Sequence, residues 1–256
     1  MSRKELKLRG KSLLNAKNYW LNVAVVFFMT LNIDGIVSKF TADYSSLFEL
    51  MNPANFSWGN FKAFILNSNT GEESLGSIIW SLAIILFELL VLCTLKTGGI
   101  RYFMKLKRNN PVNISEVFAN FLDEDKTFLN IAKVNLRTAL SCFLWSFLFI
   151  IPGVIKAYEY WAINYILAVR PDTAPEDAME LSKAIMKGHK LDLFVLDLSF
   201  IGWEILNTFT YGILGYLYLT PYKEATKLEF YSAIRLEAIA SGIVSEGDVP
   251  DYMEIV

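Results

Sequence analysis

The sequence predicts an all-α fold: a polytopic transmembrane helical bundle of about six membrane segments, flanked by amphipathic interfacial helices. Three observations carry that expectation. The 256 residues are 54% hydrophobic and 14% aromatic, with positive mean hydropathy, whereas an ordinary soluble domain is roughly 45–50% apolar. The apolar residues come in runs of membrane-spanning length. The basic residues cluster between alternate runs, the pattern of positive charge kept on the cytoplasmic side. With six crossings, every Lys and Arg except Lys39, Lys62 and Lys156 falls on that side. A net charge of −2 supplies no overall field to recruit nucleic acid or an acidic substrate.

Residues 1–18 form a basic cytoplasmic lead-in, with Leu6, Leu13 and Leu14 set among Arg3, Lys4, Lys7, Arg9, Lys11 and Lys17. That composition suits anchoring at phosphate headgroups. A cleaved signal peptide would have a shorter basic region and a small-residue cleavage site. Here the first apolar run leads instead into Asn32-Ile33-Asp34-Gly35, so it reads as a retained helix. Residues 19–235 then make a single membrane domain, with segments near 19–37, 77–95, 138–152, 154–169, 191–206 and 208–220. Residues 38–76, poor in basic residues and holding Pro53, Gly59 and Gly71, form an extracytoplasmic loop. Residues 236–256 are a cytoplasmic tail whose acidic, Gly-containing last dozen residues are expected to be disordered.

The middle of the chain turns on Pro152 and Gly153. Proline removes a backbone donor and glycine permits positive φ, so residues 138–169 read as two helices meeting at that pair, or one sharply broken helix. Next, Thr173 and Glu176 stand at capping-box spacing around Pro175 and start a helix that runs to Lys187. Its apolar stripe of Ala178, Leu181 and Ile185 is narrow, which places it on the membrane surface or against the 109–137 connector. Residues 191–220 would make a straight helix about 45 Å long, against a bilayer core of about 30 Å. Breaks at Asn207-Thr208, Gly212 and Gly215 divide the block into two short crossings.

Ionisable groups inside membrane segments are costly and are functional candidates by default; here they are Asp34, Glu88, Lys156, Glu159, Asp192, Asp197 and Glu204. Asp197 and Glu204 are seven apart and share one face if their helix is continuous. With Lys156, Tyr158 and Glu159 they compose a candidate intramembrane polar face, in which Asp197 sits deepest in apolar sequence. Such a face suits proton-coupled movement, binding of a polar headgroup, or ion pairing that holds the bundle together. No catalytic residue stands out. Neither Gly-x-x-x-x-Gly-Lys-Ser/Thr nor Gly-x-Gly-x-x-Gly opens a helix, and His189 is the sole histidine. Cys93 and Cys142 lie in apolar runs as small hydrophobes, with no Cys-x-x-Cys for zinc. No cofactor, no metal and no enzymatic activity are expected.

Ile150-Ile151-Pro152-Gly153-Val154-Ile155-Lys156-Ala157-Tyr158, Tyr165-Ile166-Leu167-Ala168, Ala178-Met179-Glu180-Leu181-Ser182 and Met186-Lys187-Gly188-His189-Lys190 closely resemble DUF975, a bacterial membrane family of unknown function. Asp197-Leu198-Ser199-Phe200-Ile201-Gly202-Trp203 and Pro221-Tyr222-Lys223-Glu224-Ala225 continue the resemblance, which covers about residues 138–235. It implies a multi-pass protein of the bacterial plasma membrane, here with both termini cytoplasmic, and supplies no catalytic residues. The Pro-Gly break, amphipathic helix and following span are also distantly similar to the membrane domain attached to some glycerophosphodiester phosphodiesterases. The expected function is a non-enzymatic accessory or scaffold module that binds membrane lipid or a protein partner, and not nucleic acid. The alternative is a small transporter or permease subunit working through the Asp197 and Glu204 face.

Overall fold

The computed structural model describes residues 2–15, 19–29, 87–108, 112–122, 127–148 and 150–249. Two compact units divide the chain, Met1–Thr30 with Leu90–Val256, and Leu31–Leu89; the elements named below lie in the first. They are α1 (Arg3–Asn15), α2 (Tyr19–Met29), α3 (Cys93–Lys107), α4 (Thr127–Leu148), α5 (Ile150–Glu159), α6 (Ile163–Val169), α7 (Pro175–Ile185), α8 (Lys190–Leu198), α9 (Ile201–Phe209) and α10 (Thr220–Ala240). The described residues contain helices and no strand, so the fold is all-α.

The short helix α6 is the centre of the packing. Its Ile163 and Leu167 meet Ile131 and Val134 of α4 and Ala178 and Met179 of α7 in one buried cluster. Aromatic rings join it to α10: Tyr165 stacks on Tyr231 with centroids 4.7 Å apart, and Trp161 meets Phe230 edge-on at 5.7 Å. The lead-in helix α1 lies along α10 and buries Leu6, Leu13 and Leu14, each contributing about 1.5–3 kcal/mol. It is therefore packed into the fold, with Arg3, Lys4 and Lys11 left on the outside.

Two helical hairpins leave this body. In the first, α5 folds back on α4: a Cβ on Gly153 would lie 2.8 Å from the Ser146 Cα, and the Ser141 and Tyr160 hydroxyls are 3.4 Å apart. These pairs fix an antiparallel register. The break expected at Pro152 and Gly153 does not fall there: both residues sit inside the first turns of α5, which begins at Ile150. A proline is tolerated there because a first-turn N–H has no intrahelical acceptor, and Gly153 serves close helix packing instead of a turn.

The second hairpin pairs α9 with residues 213–222. Gly215 N–H donates to Asn207 Oδ1 at 2.5 Å, and Trp203 lies against Tyr218 and Phe200 against Tyr222, with centroids 5.8 and 5.4 Å apart. Its tip takes left-handed backbone at Tyr211 (φ 51°) and Gly212 (φ 84°); the glycine does so at no steric cost.

Several expectations need correction. Among the described residues no helix is long and apolar enough to cross a membrane. The 138–152 segment is the second half of α4 and the start of α5, while 154–169 is interrupted by turns at 160–162. Ile163, Tyr165, Ile166, Leu167, Ala168 and Val169 are buried in protein; an apolar run alone does not distinguish a core helix from a lipid-facing one. Segments 191–206 and 208–220 are the short helices α8 and α9 and the returning arm of the second hairpin. Only 19–29 and 87–95 of the first two segments are described. The rest of them, Asp34 and the 38–76 loop lie outside the described residues.

Thr173 and Glu176 do not form a capping box. Pro175 is the first residue of α7 and holds Ala174 extended (φ −62°, ψ 150°), making Ala174 the cap. The Thr173 hydroxyl donates to the Arg170 carbonyl at 2.8 Å, and Glu176 pairs with Arg137. The tail, expected to be disordered near its end, stays helical to Ala240. It then buries Val244 and Val249, and Arg235 Nε donates to the Val249 carbonyl at 2.6 Å.

Candidate functional site

The candidate polar face forms where α5, α8, α9 and α10 meet. Asp197 and Glu204 are not on one helix, because the chain breaks between Leu198 and Ile201. The Lys7 ammonium supports that corner, donating to the Ser199 carbonyl at 2.9 Å and sitting 4.1 Å over the Phe200 ring. A basic residue assigned by sequence to headgroups thus holds an internal helix break.

The two carboxylates nonetheless meet a common element. Lys223 Nζ lies 2.6 Å from Glu204 Oε1, and Lys227 Nζ lies 3.3 Å from Asp197 Oδ1. The two lysines are one turn apart on α10 and share its face. The Lys227 contact has ion-pair distance without hydrogen-bond alignment, and Asp197 Oδ1 is buried with no hydrogen-bond partner. The Tyr158 hydroxyl donates to Asp197 Oδ2 at 3.4 Å, joining α5 to α8.

Glu159 forms a second centre. Lys156 Nζ lies 2.8 Å from its Oε1 and Lys190 Nζ 2.6 Å from its Oε2, while the Ser182 hydroxyl donates to its backbone carbonyl at 2.9 Å. Its side chain is 12% exposed, against 29% for Asp197 and 45% for Glu204. Of these three acids the most enclosed is therefore Glu159, not Asp197: α7 covers Glu159 from the side, whereas Asp197 lies at the end of a short helix.

The structure thus brings Tyr158 to Asp197 and Lys156 to Glu159 as one set, and leaves Glu204 at its margin. Sequence reasoning omitted Lys190, Lys223 and Lys227, the cations that neutralise all three acids. The spacing of Lys223 and Lys227 after Pro221 was the available signal, since i and i+4 lysines present two charges to one neighbour. Each carboxylate lies at ion-pair distance from a lysine, an arrangement suited to fixing helices and to exchanging a lysine's partner for an external anion. Among the described residues no three His, Cys, Asp or Glu side chains gather to hold a metal ion.

Every residue of this set lies in the second half of the chain. The model of the family described as Protein of unknown function (DUF975) matches residues 150–238. Over those residues, about a third of its length, the chain is similar to DUF975. The DUF975 segment runs from α5 almost to the end of α10 and contains Lys156, Glu159, Asp197, Glu204 and all three partner lysines. No curated protein and no solved structure matches the chain.

Proposed function

We propose that the protein is a non-enzymatic accessory or scaffold module of the bacterial plasma membrane, with both termini cytoplasmic, that binds lipid and through it organises a membrane partner. The observation that carries this reading is α9. Its sequence Ile201-Gly202-Trp203-Glu204-Ile205-Leu206-Asn207-Thr208-Phe209 is strongly apolar, yet none of its residues is buried. The hairpin tip beyond it is more open still, Phe209 being 77% and Tyr211 97% exposed. The α4–α5 hairpin repeats the pattern with Leu144 and Ile151 exposed. Contiguous apolar surface of this kind marks an interaction site or a membrane contact.

The helix lengths favour partial insertion. Nine residues of α9 span about 14 Å, roughly half of a bilayer core. Each hairpin then enters one leaflet as a re-entrant element, with its backbone bonds satisfied within its own helices. The lysine-paired acids stay at the base of the hairpins, at headgroup depth. Flotation of the full chain with liposomes, followed by an alkaline carbonate wash, tests the reading. The wild type should float and resist the wash, and I151S/F209S/I213S should be released by it. A wild type that stays in solution as a monodisperse species would contradict membrane insertion.

A second reading, a small transporter or permease subunit, draws support from the unbonded Asp197 Oδ1. In liposomes carrying candidate solutes, Asp197→Asn would abolish flux in a folded transporter and leave an accessory module's lipid binding unchanged.

A further inference from the structure

We infer that the cleft between α5, α7 and the start of α8 is a binding site for a phosphate-bearing anion, and that in the membrane its occupant is the headgroup of an anionic phospholipid. The cleft encloses about 460 Å³ and is lined by Glu159, Lys183, Lys187, Gly188, Lys190 and Leu191. Three lysines face one carboxylate, and that carboxylate is already occupied on both oxygens by Lys156 and Lys190. Among the described residues Lys183 has only the Tyr160 ring, 5.6 Å away, and Lys187 has no carboxylate at ion-pair distance. Both side chains are exposed on α7 and the turn after it. The cleft therefore carries a surplus of positive charge with donors to spare, the requirement for holding a phosphate oxygen cluster.

The fold builds this concentration of charge. Gly188, with φ of 91°, turns the chain sharply after α7, so that Lys187 and Lys190 stand on either side of the turn and both open into the cleft. An apolar border completes it. Leu191, at the rim, is 75% exposed, and exposed Phe194 and Leu198 continue the same stripe of α8. A phosphate with an acyl chain attached meets lysines at one end and this stripe at the other. Free phosphate would use the lysines alone.

The inference depends on the proposed membrane insertion only for the source of the phosphate, and flotation reports on insertion separately. The test uses the full chain in zwitterionic detergent, titrated with dioctanoyl phosphatidylglycerol, dioctanoyl phosphatidylcholine and inorganic phosphate, with thermal shift as readout. K183Q/K187Q removes the unpaired lysines and leaves the Glu159 triad intact. K96Q/K133Q removes the same charge from exposed positions elsewhere. Phosphatidylglycerol should bind saturably and more tightly than phosphatidylcholine, with inorganic phosphate competing at higher concentration. K183Q/K187Q should weaken phosphatidylglycerol about 25-fold, at ~fivefold per lysine, and K96Q/K133Q should leave it unchanged. Equal affinity in wild type and K183Q/K187Q, or an equal loss in both double variants, would overturn the site. Inorganic phosphate binding as tightly as phosphatidylglycerol would overturn the lipid assignment.

Discussion

Single residues divide into those that carry the fold and those that decorate it. Glu159 is enclosed and satisfied by two lysines, so removing it leaves two cations facing each other without compensation; breaking a buried pair this way costs about 3–5 kcal/mol when burial is complete. At 12% exposure, Glu159→Ala should cost about 2–3 kcal/mol on that scale, seen as a lower midpoint of thermal unfolding in detergent. Glu204 is 45% exposed and its pair is largely solvated or rim-placed, so Glu204→Ala should cost less than about 1 kcal/mol. A loss from Glu204→Ala equal to that from Glu159→Ala would refute this ranking. The acids themselves were legible in the sequence as charges in apolar runs. Their partners were not, because Lys190, Lys223 and Lys227 lie 31, 19 and 30 residues away along the chain from the carboxylates they meet, and no local spacing rule reaches that far.

At the scale of elements, the hairpins make a contrast between two glycines of helical backbone. At an unconstrained helical site, glycine to alanine gains up to about 1 kcal/mol. A Cβ on Gly202 would meet nothing within 4 Å, so Gly202→Ala should be neutral or stabilising by up to that amount. A Cβ on Gly153 would stand 2.8 Å from the Ser146 Cα, so Gly153→Ala should instead destabilise by about 1–3 kcal/mol through overpacking. Adding Ser146→Gly should recover part of the loss, a coupling that chemical unfolding of the four-member cycle measures. If Gly153→Ala stabilises like Gly202→Ala, the close α4–α5 approach is wrong. The breakers were visible in the sequence, but Pro152 was misjudged, since the same residue that ends a helix interior is acceptable at a helix start. The turn at Gly212 was readable because a left-handed residue is needed there and glycine supplies it. The failure of the Thr173 cap was also local: Pro175 fixes the helix start one residue later than the capping-box spacing implies.

For the whole molecule, hydropathy identified the all-α class but did not separate core helices from membrane segments, because α6 is as apolar as a membrane segment yet packs inside protein. Burial separates the two uses of apolar sequence: α6 hides its side chains, while α9 shows them. The proposed membrane role stands on that second fact and requires the tip of the α9 hairpin to face lipid. The most direct test places a nitroxide label at Phe209→Cys and, as a reference, at the exposed polar position Glu180→Cys, in a Cys93→Ser/Cys142→Ser background reconstituted in liposomes. Collision with oxygen, which concentrates in lipid, is compared with collision with a water-soluble nickel chelate. With the hairpin inserted, the label at 209 should meet oxygen and be shielded from nickel, while the label at 180 meets nickel. Equal and high nickel access at both positions would contradict insertion.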